Sequence, residues 1–339
     1  MSQLPDAPTP PLTTVGLVAI GRNEGERLKA CLRSVPDGLE RVVYVDSGSD
    51  DDSVAWSRQS GVECVELDMS IPFTAARARN AGMARLREKW PSTQFVQVVD
   101  GDCILVTGWI EAALEKMAAT PDIAVVCGRR REIHPEASVY NRLCDMEWDT
   151  PVGEVDSCGG DALLRLQAIE ETGGYDESVI AGEEPELCFR LRARGWKIHR
   201  IDHEMTLHDA SMSRASQWWQ RAVRAGHAYA EAYAMHPPFR RRELRSILLG
   251  GGLIPVGALA LAWPTRGLSL LLLGVPLAQF VRAARGQQRQ GYPTRDAVLF
   301  GLSCTLAKMP QLQGAAKFWW SRTTGKRNAI IEYKGSAPA

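Results

Sequence analysis

Between Thr14 and Asp100 the chain alternates short apolar runs with longer segments of helical spacing, and this alternation limits the fold more than any other feature. Thr14 to Ile20 (TVGLVAI), Arg41 to Val45 (RVVYV), Val62 to Leu67 and Phe95 to Asp100 (FVQVVD) read as strands. Helical segments lie between them: one with apolar Leu28, Cys31 and Leu32, one through Val54 and Trp56, and one from Thr74 to Lys89 that Pro91 ends. Strands apolar on both faces and joined by helices predict a mostly parallel α/β sheet with helices on both sides. Ligands of such sheets sit at the carboxyl ends of the strands. Polar clusters fall at those ends: Asn23 and Glu24, then Asp46 and Ser49, then Asp100 and Asp102. Carboxylates converging there repel one another unless a cation or a set of donors lies between them.

Asp100-Gly101-Asp102 closes a short β-branched run apolar enough to be a buried strand. Two aspartates one residue apart can both reach a hard divalent cation, and Gly101 lets the backbone approach a ligand closely. As an isolated motif the same residues also read as a simple Asp-Gly turn. Beyond Asp102 the alternation fades. Trp109 to Ala119 is predicted helical, Ile123 to Gly128 a strand, Glu132 to Asp149 a mixed segment, and Cys158 to Leu164 a turn into a strand. Ala168 to Gly174 reads as a short helix, Glu183 to Leu191 as a helix opening with acids, and Trp196 to Ile201 as a last strand before His203 and His208. Acids in a first helical turn also serve simply as dipole partners, so Glu183, Glu184 and Glu186 carry two readings.

Lys plus Arg equals Asp plus Glu at 40 each, which gives no argument for a nucleic-acid partner. The eight cysteines include no Cys-x-x-Cys pair, which points to small core residues in a reducing compartment rather than to zinc or disulfides. The first dozen residues are polar and proline-rich with no apolar h-region, so no signal peptide is expected and the N-terminal part is expected in the cytoplasm.

The motifs occur together in one order: Asn23-Glu24, Val45-Asp46-Ser47-Gly48-Ser49 with Asp51, Arg79-Asn80-Ala81-Gly82, Asp100-Gly101-Asp102, Gly159-Gly160 and Gly182-Glu183-Glu184-Pro185-Glu186-Leu187. In this the chain resembles family 2 glycosyltransferases over roughly residues 14–215. The resemblance implies a GT-A fold, a nucleotide-diphosphate sugar donor, Mg²⁺ or Mn²⁺, and inversion at the anomeric carbon. It implies that Asn23, Glu24 and Asp46 hold the nucleoside, with Asp46 accepting from the base, and that Arg79 faces the nucleotide or its phosphates. It further implies that Asp100 bonds the ribose or sugar, that Asp102 is the metal ligand with His208 as a second, and that Gly159 and Gly160 form the turn beside the donor. Arg165 and Asp161 would follow on the acceptor side. The family's base is the aspartate of a Glu-Asp pair. Here the pair is Glu183-Glu184, so the base is Glu184, one methylene longer, with Glu183 as the alternative.

From Ile247 the character changes. Ile247 to Trp263 carries no charge and would be about 25 Å long as a helix. Pro264-Thr265-Arg266 interrupts, and Gly267 to Val281 is again uncharged. Each run is slightly shorter than a bilayer core of about 30 Å, so a short transmembrane hairpin and a re-entrant or buried helical pair both remain open. Arg240, Arg241, Arg242 and Arg245 precede the hairpin and Arg282 and Arg285 follow it, which orients both ends toward the cytoplasm. The expected organisation is a tail at 1–13, the GT-A domain at 14–215, an amphipathic bridging helix and basic linker at 216–246, the hairpin at 247–282, an interfacial amphipathic helix with paired Trp319-Trp320 at 283–330, and a tail at 331–339. Together these features predict a membrane-associated enzyme acting on the cytoplasmic face, transferring sugar to a lipid-linked or saccharide acceptor in envelope or exopolysaccharide glycan synthesis. Two alternatives stand beside it: a non-catalytic nucleotide-sugar-binding scaffold, and a nucleotidyltransferase, although no glycine-rich phosphate loop with a lysine follows the first strand.

Overall fold

A computed structural model describes residues 8–325, so the expected tail at 331–339 and the first residues of the tail at 1–13 lie outside the described residues. The chain divides into two compact units. One comprises residues up to Ile133 together with Trp148–Val179 and Glu183–Asp209. The other comprises His134–Glu147, Ile180–Gly182 and the residues from Ala210 onward.

The first unit is built on one nine-stranded sheet. Its elements begin with β1 (Val15–Gly21), α1 (Glu26–Arg33), β2 (Val42–Asp46), α2 (Ser53–Gln59), β3 (Glu63–Glu66), α3 (Ala75–Lys89) and β4 (Phe95–Asp100). Then follow β5 (Cys103–Leu105), α4 (Trp109–Ala119), β6 (Ile123–Glu132), α5 (Val139–Trp148), β7 (Gly153–Glu154), β8 (Ala162–Arg165), α6 (Leu166–Thr172), α7 (Glu183–Ala193) and β9 (Lys197–His208). All of α5 except its last residue belongs to the second unit. The strand order is β3-β2-β1-β4-β8-β6-β9-β5, with β7 also on β9. The first four strands are mutually parallel, as the alternating pattern predicts. Beyond β4 the sheet is mixed: β8 runs antiparallel to β4 and β6, while β6 and β9 are parallel.

The three inner strands of the parallel half, β2, β1 and β4, are mostly apolar because both of their faces are covered. Val15, Leu17, Val18, Ala19, Val43, Val45, Val96, Val98 and Val99 are all buried. Gly82 shows how tightly α3 lies on this sheet, since a Cβ there would stand 2.4 Å from Val18 Cγ1. Buried Gln97 in β4 is satisfied by Trp109, whose indole Nε1 donates to its Oε1 at 2.8 Å. The last strand runs seven residues past the expected end at Ile201, to His208. Polar residues on its open face hide the apolar alternation from the sequence.

The second unit is helical: α8 (Ala215–Met235), α9 (Arg241–Leu248), a π-helical turn at Leu249–Leu253, α10 (Ile254–Ala260), a 3-10 stretch at Leu268–Leu273, α11 (Gly274–Arg289), α12 (Thr294–Leu306) and α13 (Lys308–Thr324). Helices α8 and α13 cross at two glycines. A Cβ at Gly226 would stand 1.9 Å from the Gln311 carbonyl oxygen, and one at Gly314 would stand 1.9 Å from that of Val223. Of the segment expected as an interfacial helix at 283–330, residues 326–330 lie outside the described residues, and the rest forms the end of α11 followed by two separate helices, α12 packed on α11 and α13 on α8. Arg241–Ala260 and Leu268–Arg289 are, by length and composition, helices able to cross a membrane, with a mean hydropathy of 1.3 over the most apolar window of each. Their leucines and valines face outward, and Trp263 at the tip between them is 93% exposed.

Candidate functional site

Strand register brings the acidic clusters to one edge of the α/β unit. Gly21 lies opposite Asp46, and Ile20 opposite Asp100, so the ends of β2, β1 and β4 are level. The chain turns at Gly101, whose N–H donates to the Ile20 carbonyl at 2.8 Å, and a Cβ there would come within 3.1 Å of the same oxygen. This turn sends Cys103 back into the sheet opposite His208, and so brings His208 Nε2 to 3.4 Å from Asp102 Oδ2. Both side chains are buried. Trp148 stacks edge-on against the His208 ring with centroids 4.9 Å apart.

The first polar cluster is zipped to the second. Asn23 adopts a left-handed φ of 56°, which asparagine tolerates better than most residues. Its N–H donates to Ser49 Oγ, and its Oδ1 accepts from the Asp50 N–H at 2.9 Å. The Gly25 N–H donates to Asp51 Oδ2. Glu24 faces Arg27 at 2.8 Å. Asp46 Oδ1 accepts from the Tyr44 and Ser49 hydroxyls and its Oδ2 from the Gly48 and Ser49 N–H groups, so it shapes the Ser47–Ser49 loop.

Arg79 is 2% exposed and bridges two acids: Nη2 to Asp100 Oδ1 at 2.8 Å and Nη1 to Glu183 Oε1 at 2.6 Å, over the Tyr175 ring. A second guanidinium completes the cluster. Arg130 Nη2 lies 2.7 Å from Asp161 Oδ2 and 3.4 Å from Asp100 Oδ2, and the guanidinium sits over Trp148. Burial opposes the charge on Asp100, yet Arg79 and then Arg130 outweigh it and hold the carboxyl below its ordinary range. Burial likewise opposes the charge on Arg130, and Asp161 above all holds its pKa well above the ordinary value. Gly160 is small because this cluster needs the room: a Cβ there would stand 2.9 Å from Asp100 Oδ2 and 3.0 Å from Arg130 Nη2. Gly159 beside it takes a left-handed φ of 81°.

Arg130 escapes a reading of the sequence because it sits in Arg129-Arg130-Arg131, a run that resembles a solvated charge patch. The signal that finds it is the period of two along β6. Arg129 and Arg131 turn to Asp149 and Glu204, while Arg130 turns inward, where its strand partner Thr206 also bonds Asp161. Asp161, expected on the acceptor side, is fully buried and additionally accepts from the Asp100 N–H at 3.0 Å. Arg165 does not line the site. It pairs with Phe95 at the opposite end of β4 and donates to the carbonyls of Ile123 and Met117.

Among the described residues, two groups of side chains bring ligand atoms close enough to share a metal ion, Asp102 with Cys103 and His208, and Asp100 with Cys103 and Asp161. Arg130, Thr206 and the Asp100 N–H already occupy Asp161, so the first group is the better holder. Burial pushes the Cys103 thiol well up in the absence of an ion. At the start of α7, Glu183 is buried on Arg79, Glu186 is paired with Arg190 at 2.6 Å, and Glu184 between them is half-buried.

Residues 18–151 match the profile of Glycosyl transferase family 2. Residues 18–151, most of them within the α/β unit, are a family 2 glycosyltransferase region. The pre-mycofactocin glycosyltransferase of Mycobacterium tuberculosis is 26% identical over 253 residues, covering 69% of this chain and 50% of that protein. The succinoglycan biosynthesis protein ExoA of Rhizobium meliloti is 23% identical over 214 residues, covering 58% of this chain and 64% of its own. The chain thus spans about half the length of the mycobacterial relative it matches. Among solved structures, the mannosyltransferase PcManGT from Pyrobaculum calidifontis, in complex with GDP-Man and Mn²⁺, aligns with a TM-score of 0.59 at 19% identity, covering 91% of this chain and 88% of that one. The family 2 glycosyltransferase domain therefore has the GT-A fold, with its mixed sheet and flanking helices.

Proposed function

We propose that the chain is an inverting glycosyltransferase that uses a nucleotide-diphosphate sugar and Mg²⁺ or Mn²⁺, and that it acts on a lipid-linked or saccharide acceptor in glycan synthesis at the cytoplasmic face of a membrane. The observation that carries this reading is the division of labour among acids at one sheet edge. Asp100 and Asp161 are committed to arginines and Glu183 to Arg79, whereas Asp102 faces His208. A carboxylate and an imidazole suit Mn²⁺ and Mg²⁺. A divalent ion held by Asp102 and His208 would supply charge neutralisation for a departing diphosphate. The PcManGT complex with GDP-Man and Mn²⁺ supports the same donor and ion class here. The relatives, ExoA among them, support a place in glycan assembly.

The base is assigned to Glu184. Its neighbour Glu183 is held by the buried Arg79 guanidinium, and Glu184 stands at the position of the aspartate in the family's Glu-Asp pair. Glu184 takes the proton from an acceptor hydroxyl while that oxygen attacks the anomeric carbon from the face opposite the diphosphate, which inverts the configuration. The two apolar outward-facing helices, bracketed by arginines, support insertion into a membrane.

The test is donor turnover by the full chain in detergent against a panel of nucleotide sugars, with Mn²⁺ or with chelator. Glu184→Gln is expected to lower turnover by about 10²–10⁴-fold with donor affinity retained. Glu183→Gln is expected to lower the melting temperature instead. A Glu184→Gln protein with wild-type turnover on a donor that the wild type consumes would remove the base assignment. Unchanged function of the variant in cells, without any donor turnover, would favour the scaffold.

A further inference from the structure

The helical unit contains a cavity of about 270 Å³, apart from the site above, whose lining includes Ser246, Gln279, Arg282, Thr305 and Lys308. Three consecutive glycines, Gly250 to Gly252, lie in the π-helical turn of the first hairpin helix. A Cβ at Gly251 would stand 2.2 Å from the Lys308 carbonyl oxygen, and one at Gly252 would stand 2.9 Å from Leu312. The joint between α12 and α13 can therefore lie against the hairpin, with the Lys308 stem passing over Gly250. Opposite, Gly301 brings α12 onto α11, where a Cβ would come within 2.8 Å of the Phe280 carbonyl oxygen. A cavity of this volume has room for roughly nine waters at ~30 Å³ each, enough for a phosphate and several chain carbons.

Its charge is one-sided. Among the described residues neither Arg282 nor Lys308 has a carboxylate within ion-pair distance, and burial pulls the Lys308 ammonium below its ordinary range. Ser246 and the Gln279 amide add neutral donors, while the Thr305 hydroxyl already donates to the Gly301 carbonyl. Two cations with hydroxyl and amide donors around a concave space match a tetrahedral anion with several acceptor oxygens. The surroundings select its attachment. Leu248 and Leu249, next to Ser246, and Leu302 and Leu306, on either side of Cys304 and Thr305, are exposed.

We propose that this cavity seats the phosphate of a membrane lipid, with Lys308 and Arg282 as counter-charges and the chain lying along these leucines. This rests on the membrane reading above and adds a defined headgroup site to it.

The test is binding by the full chain in dodecylmaltoside to farnesyl phosphate and to dihexanoyl phosphatidic acid, with farnesol and inorganic phosphate as controls. Both lipid phosphates are expected to saturate one site, and inorganic phosphate to bind at least about tenfold more weakly. Removing both cations (Lys308→Ala with Arg282→Ala) should weaken binding at least about tenfold, the worth of one charge-assisted hydrogen bond. Lys308→Arg should retain it, and nucleotide-sugar affinity should not change. Arg282 is exposed, so Arg282→Glu repeats the test without disturbing a packed residue. Equal binding by the variants, by farnesol or by inorganic phosphate overturns the proposal. Carbonate extraction of the wild type from membranes is scored separately: release would refute the membrane reading, whereas failure of lipid phosphates to bind a chain that stays in the membrane would refute only the headgroup site.

Discussion

Replacing Arg79 by methionine removes the one cation that joins Asp100 to Glu183. At an effective dielectric of about 20, each of its contacts, at 2.8 and 2.6 Å, is worth about 6 kcal/mol of Coulomb energy, most of it offset by the cost of burying the three charges. The net loss on breaking such a buried arrangement is about 3–5 kcal/mol, because Glu183 is left behind a 7% exposed surface with no counter-charge from α3. At about 2–4 °C per kcal/mol this lowers the melting temperature by about 6–20 °C. The pH dependence has a definite sign. In the wild type Asp100 is held below its ordinary range, so its stabilisation is present above the unfolded-state value of about 4 and is lost as pH falls through the lower folded-state value. In Arg79→Met the Asp100 carboxyl loses the stronger of its two cationic neighbours and binds protons more readily when folded, so the deficit shrinks on acidification from pH 7 toward pH 5. The assay is thermal unfolding of the full chain, followed by tryptophan fluorescence at each pH. A variant that melts with the wild type, or whose deficit is the same at both pH values, refutes the bridging role.

Two further outcomes test the helical unit. Gly314→Leu places a side chain where a Cβ already stands 1.9 Å from the Val223 carbonyl oxygen, and should destabilise the α8–α13 crossing by about 3 kcal/mol or more, read as a fall in folded yield and melting temperature. Val256→Asp with Leu259→Asp places two carboxylates on exposed apolar positions of α10. At about 3 kcal/mol each for a charge at bilayer depth, the double variant should become carbonate-extractable, and retention in the membrane would argue against insertion of this face.

The parallel half of the sheet is legible because each of its strands is a short apolar run closed by a polar turn, and its covering helix follows in order. The other half hides for two reasons. Strands β8 and β6 meet antiparallel to their neighbours, so their order in space no longer follows their order in sequence. Two thirds of β9 is polar, His199 and Asp202 among them. The break between α12 and α13 has a signal that an apolar count overlooks: Pro310 in the first turn of α13 cannot donate back into α12 and disfavours helical backbone before it. At the site, the motif positions are visible but their hydrogen-bond partners are not. Nothing in the sequence around Asp46 says that its carboxylate accepts from Tyr44 and Ser49, because Tyr44 reaches it by strand alternation and Ser49 only through the turn.

The groups joined by the pairs at the sheet edge also make an argument about the ion. Asp100, Asp102, Asp161 and Glu183 are four carboxylates, and Arg79 and Arg130 are two guanidiniums, which leaves two negative charges, the deficit that one divalent cation cancels. Of the four acids, Asp102 is the one that faces an imidazole, while the other three each touch an arginine. Mn²⁺ alone should therefore stabilise the chain before any nucleotide is added, by about 2.7 kcal/mol at a hundredfold excess over Kd, or about 5–11 °C in melting temperature. Asp102→Asn halves the net charge and removes the ligand while leaving both arginine pairs intact, so it should abolish the Mn²⁺ shift yet melt close to the metal-free wild type. If the variant keeps the full shift, the ion binds elsewhere and Asp102 is not its ligand. If it melts far below the metal-free wild type, Asp102 is a structural partner of His208, and its carboxylate is part of the fold rather than half of a cation site.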